Sequence, residues 1–177
     1  MIPSNILRLK KCWQIGNRTF IWQVDSSAKT HASLFFQISL DPFRVAFIAE
    51  KPEHLELGHA ASILRNHLKG VRLKGIWQLT SSDVLCTMVR GNISISLILS
   101  RDKKELSLIE DAVSTLRVGP SGCFTKKKET EDLRPVPVAA VNLLPDLLQK
   151  IKILSEDKKE SAETLAFSAF QSEVRKR

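Results

Sequence analysis

The sequence predicts an α+β fold: an antiparallel β-sandwich-like domain with one inserted helix and a C-terminal helical segment. Three observations predict it. Most apolar residues recur at every second position in short runs bounded by turn residues. One interval, Leu57, Ala61, Leu64 and Leu68, switches to helical spacing. Helical spacing returns after a loop, in the apolar run Ala139 to Leu154.

The elements follow in order. Arg18 to Val24 alternates and carries Phe20 and Trp22, residue types that suit a pleated, half-buried surface. Ala32 to Ser39 places Leu34, Phe36 and Ile38 on one face. Asp41-Pro42 is a turn signal, and Phe43 to Ala49 continues the meander. A helix is expected from Glu56 to Lys69, stopped by Gly70. Strands resume at Val71 to Leu79, Val84 to Arg90 and Asn92 to Ser100, with a tight hairpin at Arg90-Gly91-Asn92. In the last of these Ile93, Ile95, Leu97 and Leu99 alternate with Ser94 and Ser96, so one face is core and the other is wet. Arg101 to Lys104 is a charged turn, and Leu106 to Val113 is a further strand. Gly119 to Pro137 is rich in Gly, Pro and charge and is expected to be a loop. Pro145 marks a helix start, and Ser155 to Arg177 continues as a second helix or a fraying tail. The domain reading is 1–118 for the β-rich body, 119–138 for the linker and 139–177 for the helical tail.

Composition bounds the function. The 177 residues are 43% hydrophobic, enough for a core that needs no staples. The net charge of +8 favours an anionic partner. Cys12, Cys86 and Cys123 are widely spaced and form no CxxC, which argues against a structural zinc site and for a reducing compartment. No apolar run reaches the roughly 20 residues of a membrane span, and the N-terminus lacks the pattern of a secretory signal. A cytoplasmic location is the expectation.

The signatures of catalysis are missing. The four histidines include His59 and His67, eight apart on the expected helix, but a helical metal pair needs spacing of four. GxSxG, GxGxxG and GxxxxGK[ST] are all absent. The carboxylates are spread through charged segments rather than paired. The expectation is therefore a non-enzymatic chain without cofactor or metal.

Binding is better supported. Between Glu56 and Asp83 there is no acidic residue, yet Arg65, Lys69, Arg72 and Lys74 all fall there. Arg65 and Lys69 are four apart on the helix and share a side. Arg72 and Lys74 are two apart on the next strand and share a face. Such a patch holds phosphates without reading sequence. Lys126, Lys127 and Lys128 in the loop are a second candidate phosphate contact. Trp77 is weighed both as a core residue and as a stacking face.

The stretch Ile63 to Gln78, ILRNHLKGVRLKGIWQ, resembles the LRKHLEGARI..I.Q segment of the N-terminal domain of the NFACT family. That family includes the ribosome-associated quality-control factors and the bacterial proteins labelled fibronectin-binding. Asp41-Pro42-Phe43-Arg44-Val45, Glu50-Lys51-Pro52-Glu53 and the strands Ile95 to Leu99 and Leu106 to Val113 extend the resemblance over roughly residues 13 to 124. It implies a fold akin to formamidopyrimidine-DNA glycosylases without their chemistry, and RNA or the ribosome as partner. In those glycosylases a proline at the N-terminus is the nucleophile; here Pro3 follows Ile2, so a degenerate glycosylase-like activity ranks last. The family's Asp-Arg pair falls on Ser82-Asp83, so its tRNA-dependent tailing is not expected. The family's coiled coil and second RNA-binding domain have no counterpart in these residues. The alternative is an adaptor domain that docks a protein partner through residues 139–177.

Overall fold

The computed structural model describes residues 7–26, 34–111, 113–119, 122–124, 129–130 and 141–149. The first meander is β1 (Leu7–Ile15), β2 (Thr19–Ser26), β3 (Leu34–Leu40) and β4 (Phe43–Ile48). Helix α1 (His59–Leu68) follows. The second meander is β5 (Arg72–Gln78), β6 (Asp83–Arg90), β7 (Ile93–Ser100), β8 (Glu105–Glu110), β9 (Val113–Gly119) and β10 (Gly122–Phe124). Two short strands, β11 (Glu129–Thr130) and β12 (Val141–Asn142), pair with β9 and β5. The fold is thus α+β and antiparallel, with the sheet order β10-β9-β8-β7-β6-β5-β1-β2-β3-β4. A single antiparallel pairing, Leu7 with Leu73 and Arg8 with Arg72, joins the two meanders.

The sheet curls so that both meanders feed one core. Trp22, Phe36 and Phe47 from the first share a buried cluster with Cys86, Leu97 and Leu106 from the second. At the sheet's end, Asp41 in the β3–β4 turn accepts from Arg18 Nη1 at 2.6 Å and from Lys104 Nζ at 3.0 Å. Lys104 belongs to the β7–β8 turn. Strands far apart in sheet order therefore end side by side, as in face-to-face packing. The Asp41–Pro42 peptide bond within this cluster is cis.

Strand β1 was not expected. Leu7 and Leu9 face the core, but the next inward residue is Cys12, because a bulge sets Lys10 and Lys11 against one residue of β2. The extra residue breaks the period of two and hides the strand from pattern reading. Helix α1 begins at His59 rather than Glu56 because Glu56 is held in a bridge to β1. Gln14 N–H donates to the Glu56 carbonyl at 2.8 Å, and Glu56 N–H donates to the Gln14 carbonyl at 2.9 Å. The Gln14 amide also takes the place of a cap, its Oε1 accepting from Ala61 N–H at 3.2 Å. At Gly58 a Cβ would lie 1.9 Å from Gln14 Cδ, so a larger residue there would displace the Gln14 amide from the helix start. The helix ends as expected, with Gly70 at φ +77°.

Three further differences stand out. The expected strand Leu106 to Val113 divides into β8 and the start of β9, with Asp111 at φ 45° between them. The expected loop contributes β10 and β11. Residues 139–154 were expected to be helical, but 141–142 form β12 and the helical turn spans 144–149. The Asn142 side-chain oxygen accepts from Ile76 N–H at 3.1 Å and from Leu144 N–H at 3.2 Å, so it occupies the edge of β5 that β1 leaves open. Leu143, Leu144 and Leu147 then enter the core. This part of the expected tail is a piece of the β domain; the remainder, 150–177, lies outside the described residues.

Candidate nucleic-acid interface

The expected basic patch is split by the structure. Arg65 is committed to the fold: Nη2 donates to the Cys12 carbonyl at 3.1 Å, and the guanidinium lies 5.9 Å from the Trp13 ring centre. Its Nε is buried. Helix α1 lies along β1 between the Leu9–Val71 and Gln14–Glu56 contacts, and Arg65 satisfies a carbonyl that no strand reaches there. Lys69 is exposed at the helix end, and the next residue, Gly70, donates its N–H to the Leu9 carbonyl at 2.7 Å. Arg65 and Lys69 thus share a helix side in sequence but not a task.

Arg72 and Lys74 remain together on β5, with Arg72 half-buried and Lys74 exposed. Core positions Leu73 and Ile76 are three apart because a second bulge lies between Leu73 and Gly75. That bulge leaves Lys74 on the outer face beside Arg72. Across the seam, β1 presents Arg8, Lys10 and Lys11, all exposed and all off the core face. Arg8 stands directly opposite Arg72. Sequence reading had not placed these three; the alternation of Leu7 and Leu9 with Arg8 and Lys10 was the signal available. Both bulges therefore serve one end, holding lysines outward where a regular strand would turn one of them into the core.

The charge balance of this seam is one-sided. Like charges facing each other across two strands are unfavourable by a few tenths of a kcal/mol or more. The neighbouring acid is Asp25, opposite Arg8 in register and 3.0 Å from Lys10 Nζ. Both side chains of that pair are about half exposed (51% and 55%), so solvent screens it. Among the described residues, Asp25 is the carboxylate in register with Arg8 and in ion contact with Lys10. Lys126, Lys127 and Lys128 lie outside the described residues.

His59 and His67 play other parts. His59 is exposed at the start of α1. His67 Nδ1 lies 3.3 Å from Glu110 Oε1, and Arg90 Nη1 donates to the His67 carbonyl at 2.9 Å. Arg90 also pairs with Glu110 at 3.6 Å. This cluster pins the C-terminal end of α1 onto β6 and β8, where a cation meets a helix-end carbonyl. No nucleophile takes part in it. Among the described residues no group of three or more His, Cys, Asp or Glu is placed to hold a metal ion. Among them, too, no helix is long and apolar enough to cross a membrane.

Cys12 and Cys86 are free and buried. Burial pushes the Cys12 thiol far up, with the Arg65 charge acting weakly the other way. Burial alone pushes Cys86 up to about 12. Neither is poised as a nucleophile.

Trp77 lies on the outer face of β5, five residues beyond Arg72. Its Nε1 donates to Thr87 Oγ1 at 3.1 Å. No family model, curated protein or solved structure matches the chain.

Proposed function

We propose that this chain is a non-catalytic module that binds RNA, or a ribosomal surface, through the basic seam between β1 and β5. The observation that carries the reading is the placement of Arg8 opposite Arg72, flanked by Lys74 and by the bulged pair Lys10 and Lys11. Two arginines held opposite each other on adjacent strands lose stability alone and regain it against phosphate, which a guanidinium binds through a planar fork of donors. The resemblance to the NFACT N-terminal domain points to the same class of partner, and Ser82-Asp83 in place of the family's Asp-Arg pair sets tRNA tailing aside.

The test is RNA binding measured by fluorescence anisotropy at several salt concentrations. Affinity is expected to fall steeply with salt, at a log–log slope of about −0.7 for each phosphate engaged on a single strand. Changing Arg8, Arg72 and Lys74 together to Glu should abolish binding and leave the thermal unfolding curve in place. Retained binding in that triple variant would sink the proposal. A pull-down from lysate with and without nuclease adds the cellular partner: ribosomal partners lost on nuclease treatment are the expected result.

A further inference from the structure

We infer that Trp77 is a base-stacking platform, and that the RNA taken by the basic seam is single-stranded. The inference rests on the reading of the seam as an RNA site and deepens it. Three features of Trp77 lead there.

First, its side is settled by the bulge. Leu73 and Ile76 are core residues, so Trp77, next after Ile76, turns outward onto the face that carries Arg72 and Lys74. Second, the indole lies against the strand backbone. A Cβ at Gly75 would come within 2.4 Å of Trp77 Nε1 and 2.9 Å of Cε2, so glycine is what lets the ring occupy that position. Third, the ring is held: Nε1 is anchored on Thr87 Oγ1 of β6 at 3.1 Å, while the side chain stays half-buried rather than enclosed. A ring fixed in advance loses little rotamer entropy when a base stacks on it.

The arrangement separates two kinds of nucleic acid. At about 3.3 Å per residue, Trp77 stands roughly 15 Å along the strand from Arg72, with Lys74 between them. A splayed single strand presents both phosphates and open base faces to such a row. In a duplex the base faces are already stacked on one another, so a ring on a sheet surface gains nothing from them. Duplex RNA would engage the cations alone.

The experiment uses the full chain, with a labelled oligouridine of about twelve nucleotides and a duplex RNA of the same length. Trp77→Ala is expected to weaken single-strand binding by about tenfold or more and to leave duplex binding unchanged. Trp77→Phe, which keeps an aromatic face, should retain most of the affinity. It also guards against a folding defect from loss of the Thr87 bond, checked by the unfolding curve. Gly75→Ala, which puts a methyl where the indole lies, should weaken the single strand as Trp77→Ala does. Intrinsic fluorescence should be quenched by oligouridine in the wild type and not in Trp77→Phe. Wild-type affinity for the single strand in Trp77→Ala, with binding still lost in Arg8→Glu/Arg72→Glu, would overturn stacking and leave the charged seam standing. Equal affinity of the wild type for duplex and single strand would overturn it as well. Binding of neither RNA would remove both readings.

Discussion

Arg65 and Arg72 are alike in charge and both lie in an acid-free stretch, yet the structure gives them opposite work. Arg65 donates to the Cys12 carbonyl and lies over Trp13, whereas Arg72 faces Arg8 on the sheet surface. Arg65→Ala is therefore expected to lower stability by about 1–2 kcal/mol, the size of a charge-assisted bond to a half-buried carbonyl, and to change RNA affinity little. Arg72→Ala should do the reverse, weakening binding and leaving the midpoint of urea unfolding unmoved or slightly raised, since it relieves the facing Arg8. Parallel unfolding and anisotropy series on the two variants check this, and a common effect of both on affinity would contradict the assignment. The spacing of Arg65 and Lys69 by four residues predicts a shared side of one helix, but α1 ends at Leu68 and Lys69 is its extended cap. The spacing was also silent on the missing strand neighbour that draws Arg65 inward. The thiols yield a second expectation at this scale. With Cys12 and Cys86 buried and their ionisation pushed up by burial, a Cys123→Ser variant should not react with an aromatic disulfide reagent at pH 8 while folded. Modification should follow the rate of unfolding as urea is added.

Among the elements, those whose apolar period is unbroken were legible and those with an inserted residue were not. Strand β7 runs Ile93, Ile95, Leu97, Leu99 without a fault, and its two-residue hairpin with Gly91 at φ +60° is the turn that Arg90-Gly91-Asn92 predicts. Strand β1 carries the same alternation for two residues and then a bulge, so its inward set moves from odd to even positions. The candidate site suffered from this directly, because three of its five cations, Arg8, Lys10 and Lys11, are on β1. Helix α1 was legible at its end and not at its start. Gly70 at φ +77° is a local signal, while the Gln14 cap comes from a residue 47 positions from the Ala61 amide it receives. Gly70→Ala meets no neighbouring atoms and so isolates the backbone cost. It should destabilise by about 1–2 kcal/mol, read as a lower urea midpoint with an unchanged slope. Residues 141–149 depart from the sequence expectation for a related reason. Leu143, Leu144 and Leu147 have a helix-like spacing, but the entry to that turn is a strand pairing with β5 that only the fold supplies. A chain ending at residue 138 should be far less stable than one ending at 149, since it loses three core leucines, each worth about 2–5 kcal/mol on truncation.

At the scale of the whole molecule, the question is what keeps one long antiparallel sheet curled over the core that both meanders share. Among the described residues the two meanders pair along Leu7–Leu73 and Arg8–Arg72, continued by the Leu9 bonds to Gly70 and Val71, so the hydrogen-bonded connection between them is narrow. Shared burial does most of the joining, from Trp22 and Phe36 on one side to Leu97 and Leu106 on the other. Asp41 adds a polar tie at the far end, drawing the β1–β2 turn through Arg18 and the β7–β8 turn through Lys104. The hydrogen bond from Lys104, reinforced by the charges of Lys104 and Arg18, holds the Asp41 carboxyl below its ordinary value. The sign of the consequence follows. A carboxyl whose pKa is depressed in the folded state contributes stability in full above its unfolded value, and loses it as pH falls through the folded one. Asp41→Asn should therefore lower the melting temperature at pH 7. The gap from the wild type should narrow steadily as the pH drops below about 4, where the unfolded carboxyl begins to titrate. The groups are exposed, so molar salt at pH 7 should shrink the same gap. Thermal unfolding of the two proteins across pH and salt measures both. A gap that stays constant down to strongly acid pH would mean that packing in the turns, and not the charge of Asp41, closes the sheet.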